Sequence, residues 1–270
     1  MSRLWPVLLI MLCASFSSAA AHELTPDQLR RVRFDQQLGQ TLPLDLHFHD
    51  DEGRAVALRD YFGERPVILS LNYFHCQHLC PIELDGVLQA LNGVSFTLGQ
   101  EFTLVSVSID PREGPFDAAD AKARALRGYD KRQSAAGWHV LTTTDQATID
   151  QLARAVGFQY IYDPLENDFA HPAGVIVLTP SGQISRYLYG LDFSATDLRL
   201  ALVEAATQRI GSPVDTVLLI CYHYDPLTGR YTPLAVNLLR VAAVAGVLGL
   251  TGMLVWLWRA EARAKPANPA

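Results

Sequence analysis

Two cysteines, Cys76 and Cys80, stand in LNYFHCQHLCP (71–81), after an apolar run and before a proline. The three residues between them let both sulfurs converge on one point, where they could form a disulfide or share a metal ion. Cysteine reacts and ligates as thiolate. A helix start, with unsatisfied N–H groups and the positive end of the dipole, favours that form. Three chemistries fit the pair. A disulfide that only fastens the loop would close so small a ring that it removes little entropy from the unfolded chain. A dithiol oxidoreductase is the second, although the usual redox spacing is C-x-x-C, one residue narrower. The third is a soft-metal site: paired thiolates suit copper(I), and an imidazole beside them would let the site hold copper(II) as well. A peroxidase would need a Thr and an Arg placed to polarise peroxide, and the stretch around 76–80 has no such arrangement.

The metal reading needs a histidine, and the chain has eight. His47 and His49 alternate on an expected strand, His139 follows Trp138 in another, and His22 lies near the start; each reads as ordinary surface or core. His75 and His78 flank the cysteines. A persisting strand would point His75 away from Cys76, and His78 is expected in solvent. His171 differs, because in NDFAHPAGVIVL (167–178) it stands on a loop entering a strand. A parallel-type sheet would bring that loop near the one after residues 67–74.

Those loops must be held by regular elements. LPLDLHFHDDEGRAVAL (42–58) alternates around a DDEG turn and predicts a hairpin. VILSLNYF (67–74) is a continuous apolar run suited to a strand buried on both faces. After the cysteines, Leu84, Val87, Leu88 and Leu91 fall on one helical face, with Pro81 in the first turn. TLVSVSI (103–109) predicts a strand and the alanine-rich stretch 117–128 a helix. Thr144 and Asp145 cap another helix, with Ile149, Leu152 and Val156 on one face and Gly157 at its end. GVIVLTPSGQISRYLY (174–189) predicts a hairpin turning at 180–182. Ser194 and Asp197 start a last helix that runs through Glu204. The expected architecture is an α/β sandwich with a mixed sheet, in one domain.

Both ends of the chain stand apart from that domain. LWPVLLIMLCASFS (4–17) behind Arg3 leads into small residues and reads as a signal peptide of residues 1–21, Cys13 being discarded with it. VAAVAGVLGLTGMLVWLW (241–258) is eighteen residues without a charge, bracketed by Arg240 and Arg259. It predicts a transmembrane helix over 234–259 with a cytoplasmic tail at 260–270. The main domain, 22–211, then faces outward, joined by a membrane-proximal segment at 212–233. In that segment Cys221 and His223 have ligand chemistry, but C-x-H alone reads more readily as a buried thiol. The net charge of -6, with no basic cluster in the outward part, argues against nucleic acid as a partner.

YFHCQHLCP (73–81), VSVSIDPRE (105–113), GWHVLT (137–142) and FAHPAGVIVLTPSG (169–182), in that order, resemble the Sco/SenC family of membrane-anchored copper proteins. The resemblance covers roughly residues 35 to 207. It implies a thioredoxin-like three-layer sandwich, with copper(I) or copper(II) held by Cys76, Cys80 and His171. It also implies delivery of copper to the binuclear copper centre of cytochrome c oxidase, the partner being a copper-accepting respiratory oxidase subunit. The alternative role is thiol–disulfide exchange, with Cys76 and Cys80 as a catalytic redox pair acting on a thiol partner. The expected location is a bacterial-type inner membrane, single-pass, with the domain on the periplasmic side. Three departures stand out. Gln77, His78 and Leu79 replace the family's usual Pro-Asp-Val-like insert, the anchor is C-terminal, and residues 212–233 are added. Pro172 resembles the proline that faces the active cysteines in thioredoxin-like folds.

Overall fold

The computed structural model describes residues 25–75, 80–206, 222–225 and 230–264. Its centre is a five-stranded sheet of β4 (Val67–Asn72), β5 (Thr103–Ser108), β6 (Trp138–Leu141), β10 (Gly174–Leu178) and β11 (Ile184–Tyr189), in the order β11-β10-β4-β5-β6. β4, β5 and β6 run parallel, and β10 and β11 are antiparallel to their neighbours, so the expected mixed sheet is present.

Every residue of β4, β5 and β10 is buried, because both faces of the sheet are covered. Alternation sorts the side chains into two cores. Ile68, Leu104, Val140, Val175 and Val177 face one side, against α1 (Cys80–Gly93), α2 (Pro115–Ala125) and α4 (Ala195–Ala205). Val67, Leu69, Leu71, Val105, Val107, Ile176 and Leu178 face the other, against α3 (Gln146–Ala155) and the N-terminal segments. This is the three-layer, thioredoxin-like arrangement.

The helices start where the sequence signals place them. Val87, Leu88 and Leu91 of α1 are buried, and Leu84 packs against their cluster. Asp145 caps α3 by accepting the Ala147 N–H at 3.0 Å, and Gly157 ends that helix at φ +64°. Ser194 caps α4 by accepting from Asp197 N–H. α2 starts two residues earlier than expected, since Pro115 supplies a preset first turn and Asp117 accepts the Gly114 N–H at 2.8 Å.

Several short elements pass beneath the level of sequence periodicity: β1 (Arg33–Phe34) with β7 (Phe158–Gln159), and β8 (Ile161–Asp163) with β9 (Asp168–Ala170). The expected hairpin over 42–58 is β2 (His47–His49) with β3 (Ala55–Ala57). The segment leading into it reaches both margins of the main sheet. Near one, Gly39 and Leu42 donate to Ile184 and Gly182 at 2.8 and 2.9 Å; past the end of β6, His49 and Thr142 exchange bonds of 2.8 and 2.9 Å.

Residues 212–233 were expected only to link domain and membrane; within them β12 (Tyr222–Asp225) and β13 (Arg230–Pro233) form an antiparallel hairpin. α5 (Leu234–Ala264) follows as a continuous helix of 31 residues, five longer at its end than the expected span. Among the described residues no helix is long and apolar enough to cross a membrane. The expected signal peptide at 1–21 lies outside the described residues.

Candidate metal and thiol site

β4 ends at Asn72, and Tyr73, Phe74 and His75 carry the chain toward the cysteines. Residues 76–79 lie outside the described residues; Cys80 is the first residue of α1, with its side chain likewise outside them. The pair therefore falls at a strand-to-helix junction, as its sequence setting predicts.

The approach to that junction is held by a residue the sequence reading did not single out. β5 ends in a turn, SIDPRE, whose last member Glu113 has a side chain 1% exposed. Its carboxylate accepts the Phe74 N–H at 2.7 and 2.9 Å, the His75 N–H at 2.7 Å and the Ser108 hydroxyl at 2.5 Å. His75 Nδ1 lies 2.9 Å from the same group, and His75 Nε2 lies 3.4 Å from an Asp117 oxygen. An ionised carboxylate is acceptor-only with about four lone-pair positions, so it suits this many converging donors. The strand expected over 67–74 stops at Asn72. His75 is set by carboxylates and not by strand alternation.

His171 arrives from the opposite side, directly after β9. Its ring is partly buried, 6.1 Å from the Tyr73 ring and 5.8 Å from that of Phe158, centroid to centroid. Phe169, two residues earlier, packs on Tyr73 at 5.3 Å, Tyr160 at 5.9 Å and Tyr162 at 5.0 Å. Nδ1 of His171 lies 3.1 Å from the Pro172 carbonyl oxygen. With Nδ1–H donating there, Nε2 is the basic nitrogen of the ring. The peptide between His171 and Pro172 is trans, since no cis bond occurs among the described residues. Burial, first, and then the nearby Asp150 carboxylate push the Tyr160 phenol up to about 12.

The structure thus brings His171, from the later half of the chain, against Tyr73, three residues ahead of Cys76. Beside Tyr73 and His75 a cavity of about 560 Å³ is lined also by Asp110, Arg112, Asn167 and Asp168, among others. Two thiolates and one imidazole would be a soft donor set fitting copper in either oxidation state. Among the described residues no group of three or more His, Cys, Asp or Glu could hold a metal ion, a set that excludes both sulfurs.

The remaining histidines behave as expected where they are described. His47 and His49 are exposed on β2. His139 stacks on Tyr61 at 4.4 Å, and burial, then the Lys122 ammonium, hold it below the ordinary imidazole value. His22, His78, Cys221 and the His223 side chain lie outside the described residues.

The SCO1/SenC family model matches residues 35–205. Protein SCO2 homolog, mitochondrial, of Homo sapiens is 24% identical over 159 residues, covering 57% of this chain and 56% of that protein. The match thus spans little more than half the length of that curated relative. A solved structure from Aquifex aeolicus VF5, described as a candidate electron transfer protein, is 28% identical with a TM-score of 0.57, covering 64% of this chain and 96% of that one. Arabidopsis thaliana ScoI, solved with copper bound, is 19% identical with a TM-score of 0.49, over 63% and 99% of the two chains.

Proposed function

From the premise that this chain belongs to the SCO1/SenC family, we propose that it binds copper through Cys76, Cys80 and His171 and delivers it to the binuclear copper centre of cytochrome c oxidase. The observation that carries the reading is the His171 ring beside Tyr73, at the mouth of the loop that bears the cysteines. Two thiolates suffice for copper(I). The imidazole adds the harder donor that copper(II) requires, and loss of that one contact opens the site to an acceptor protein. Oxidation of Cys76 and Cys80 to a disulfide, with two electrons passing to an external oxidant such as a partner disulfide that is reduced to two thiols, uses both thiolates and releases the metal. Loading and redox state are therefore alternatives at the same two atoms.

The domain is anchored by 241–258 as a single-pass helix, its tail cytoplasmic and the main domain on the outer, periplasmic face of a bacterial-type inner membrane. Eighteen uncharged residues between Arg240 and Arg259 support this, as does the exposure of Val244, Val247, Leu248, Leu254, Trp256 and Trp258 along an unbroken helix. A cleaved signal peptide at 1–21 accounts for the outward orientation.

Anaerobic copper(I) titration of the full chain in detergent, with thiol state followed alongside, tests the assignment. Fully reduced wild type should take up about one copper, and His171→Ala should lose copper(II) while keeping most copper(I). No stoichiometric uptake by reduced wild type would overturn it. The oxidoreductase reading is favoured by one observation, the place of Cys80 at the N-terminus of α1, where thiolate is stabilised. The electron-transfer description of the Aquifex structure agrees with it. That reading predicts repeated reduction of partner disulfides with His171 dispensable.

A further inference from the structure

Glu113 and Arg112 are adjacent in sequence, yet they grip opposite sides of the site. Glu113 holds the backbone of Phe74 and His75, next to Cys76. Arg112 turns the other way. Its Nη1 donates to Asn167 Oδ1 and, at 3.4 Å, to the Tyr162 hydroxyl, and its guanidinium lies 5.3 Å from the Tyr162 ring centroid and 5.8 Å from that of Phe169. Those contacts fall on the β8–β9 ribbon, whose last residue precedes His171. Among the described residues the ribbon forms a sheet of its own, with no ladder to the five-stranded sheet. Side-chain contacts therefore add to its backbone connections in setting where it sits.

The turn between the two grips is itself braced. Asp110 accepts the Arg112 N–H at 2.9 Å and Nε at 2.7 Å through Oδ1, and Nη2 at 2.6 Å through Oδ2. Its carbonyl accepts the Glu113 N–H at 3.1 Å, and its own N–H donates to Ser108 Oγ at 3.1 Å. Asp110 is buried, and Ser108 belongs to β5, so the turn is tied to the central sheet. Asn167, the hairpin residue that meets Arg112, has a left-handed backbone (φ +52°), which asparagine tolerates better than most residues.

We infer that the Asp110–Glu113 turn is the element that sets the spacing between the cysteine loop and His171, with Glu113 and Arg112 as positioning residues for the two halves of the donor set. The inference rests on the copper reading for what is positioned, but the tie between loop and ribbon stands without it. Lysine at 112 would keep the charge and lose the fork that reaches Asp110 and Asn167 together. Glutamine at 113 would turn one of two acceptor oxygens into a donor facing N–H groups.

The test uses the full chain in detergent. In the reduced, metal-free protein, Glu113→Gln should speed amide hydrogen exchange at Phe74 and His75 roughly tenfold and leave residues 161–170 unchanged, and Arg112→Lys should do the reverse. Ser108→Ala, which removes one donor and spares the carboxylate, should repeat the Glu113→Gln result more mildly and serves if that variant does not fold. With copper, Glu113→Gln should weaken copper(I) about tenfold, as expected for loss of outer support. Arg112→Lys should instead shift the copper(II) absorption and nitrogen hyperfine signals toward those of His171→Ala, and the double variant should match His171→Ala alone. Unchanged exchange in both segments, or additive effects of Arg112→Lys and His171→Ala, would overturn the inference. If wild type takes up no copper, the copper reading fails and the exchange arm alone decides for or against the tie.

Discussion

A methyl group added at Gly86 tests how closely α1, which begins at Cys80, is seated. In an exposed helix interior, alanine for glycine stabilises by about 1 kcal/mol. Here the new Cβ would lie 2.0 Å from the Leu191 carbonyl oxygen, 3.1 Å from its carbon and 3.4 Å from Phe193 Cδ2. The first of these neighbours is backbone and cannot rotate aside. Reaching an ordinary contact requires more than about 1 Å of separation between α1 and the loop before α4, the kind of overpacking that costs about 1–3 kcal/mol. A 2.0 Å approach to backbone puts the cost at the upper part of that range, about 2–3 kcal/mol, so after the propensity gain Gly86→Ala should be destabilised by about 1–2 kcal/mol, or roughly 2–8 °C in Tm for a domain of this size. A helix moves as a stiff body, so the shift reaches its N-terminus about 9 Å away. Thermal unfolding followed by circular dichroism should show the loss, beside Gly128→Ala, whose added Cβ meets nothing within 4 Å. A Tm for Gly86→Ala equal to or above wild type would refute the close approach of α1 to Leu191.

Gly157→Ala combines a left-handed φ of +64° with a Cβ 1.8 Å from the Asp35 carbonyl oxygen; urea unfolding should report a loss of about 2–5 kcal/mol. Ser106 accepts the buried Trp138 indole N–H at 3.0 Å, so Ser106→Ala should cost about 1–3 kcal/mol by the same measurement. His139 is held below the ordinary imidazole value of about 6.5 by burial and then by Lys122. The unfolded chain thus binds the proton more readily, and this contribution to stability is present above pH 6.5 and lost as pH falls toward the lower folded value. Melting temperatures from pH 7.5 to 5 should therefore drop in wild type and drop less in His139→Gln.

Much of this architecture was legible in the sequence, because long buried elements write a strong pattern. β4, β5 and β10 are buried throughout and predominantly apolar, and α1, α3 and α4 carry both a periodic face and a start or stop residue. At the site, donor type and spacing single out Cys76 and Cys80, whereas the set that adds His171 comes from the family resemblance. Its scaffolding was not legible. β8 and β9 have three residues each, too few for alternation to register, although they carry the approach to His171. Glu113 works through the N–H groups of Phe74 and His75, 39 and 38 positions away, and a backbone donor leaves no trace in side-chain identity. Arg112 looks like a surface cation until the ribbon folds over the turn. The orientation of His75 was not legible because the strand, expected to end at Phe74, stops two residues earlier and leaves His75 to the carboxylates.

The stretch between Gly39 and His49 acts as a belt with two buckles, one near Ile184 and one at Thr142. Unprotected sheet margins invite pairing with a neighbouring molecule, and here a single short span of chain shields parts of both. Closing it joins Leu42 to Gly182 at one end and His49 to Thr142 at the other, both distant in sequence, so the belt should fasten late as the chain folds. A single proteolytic nick within it would loosen both seams together.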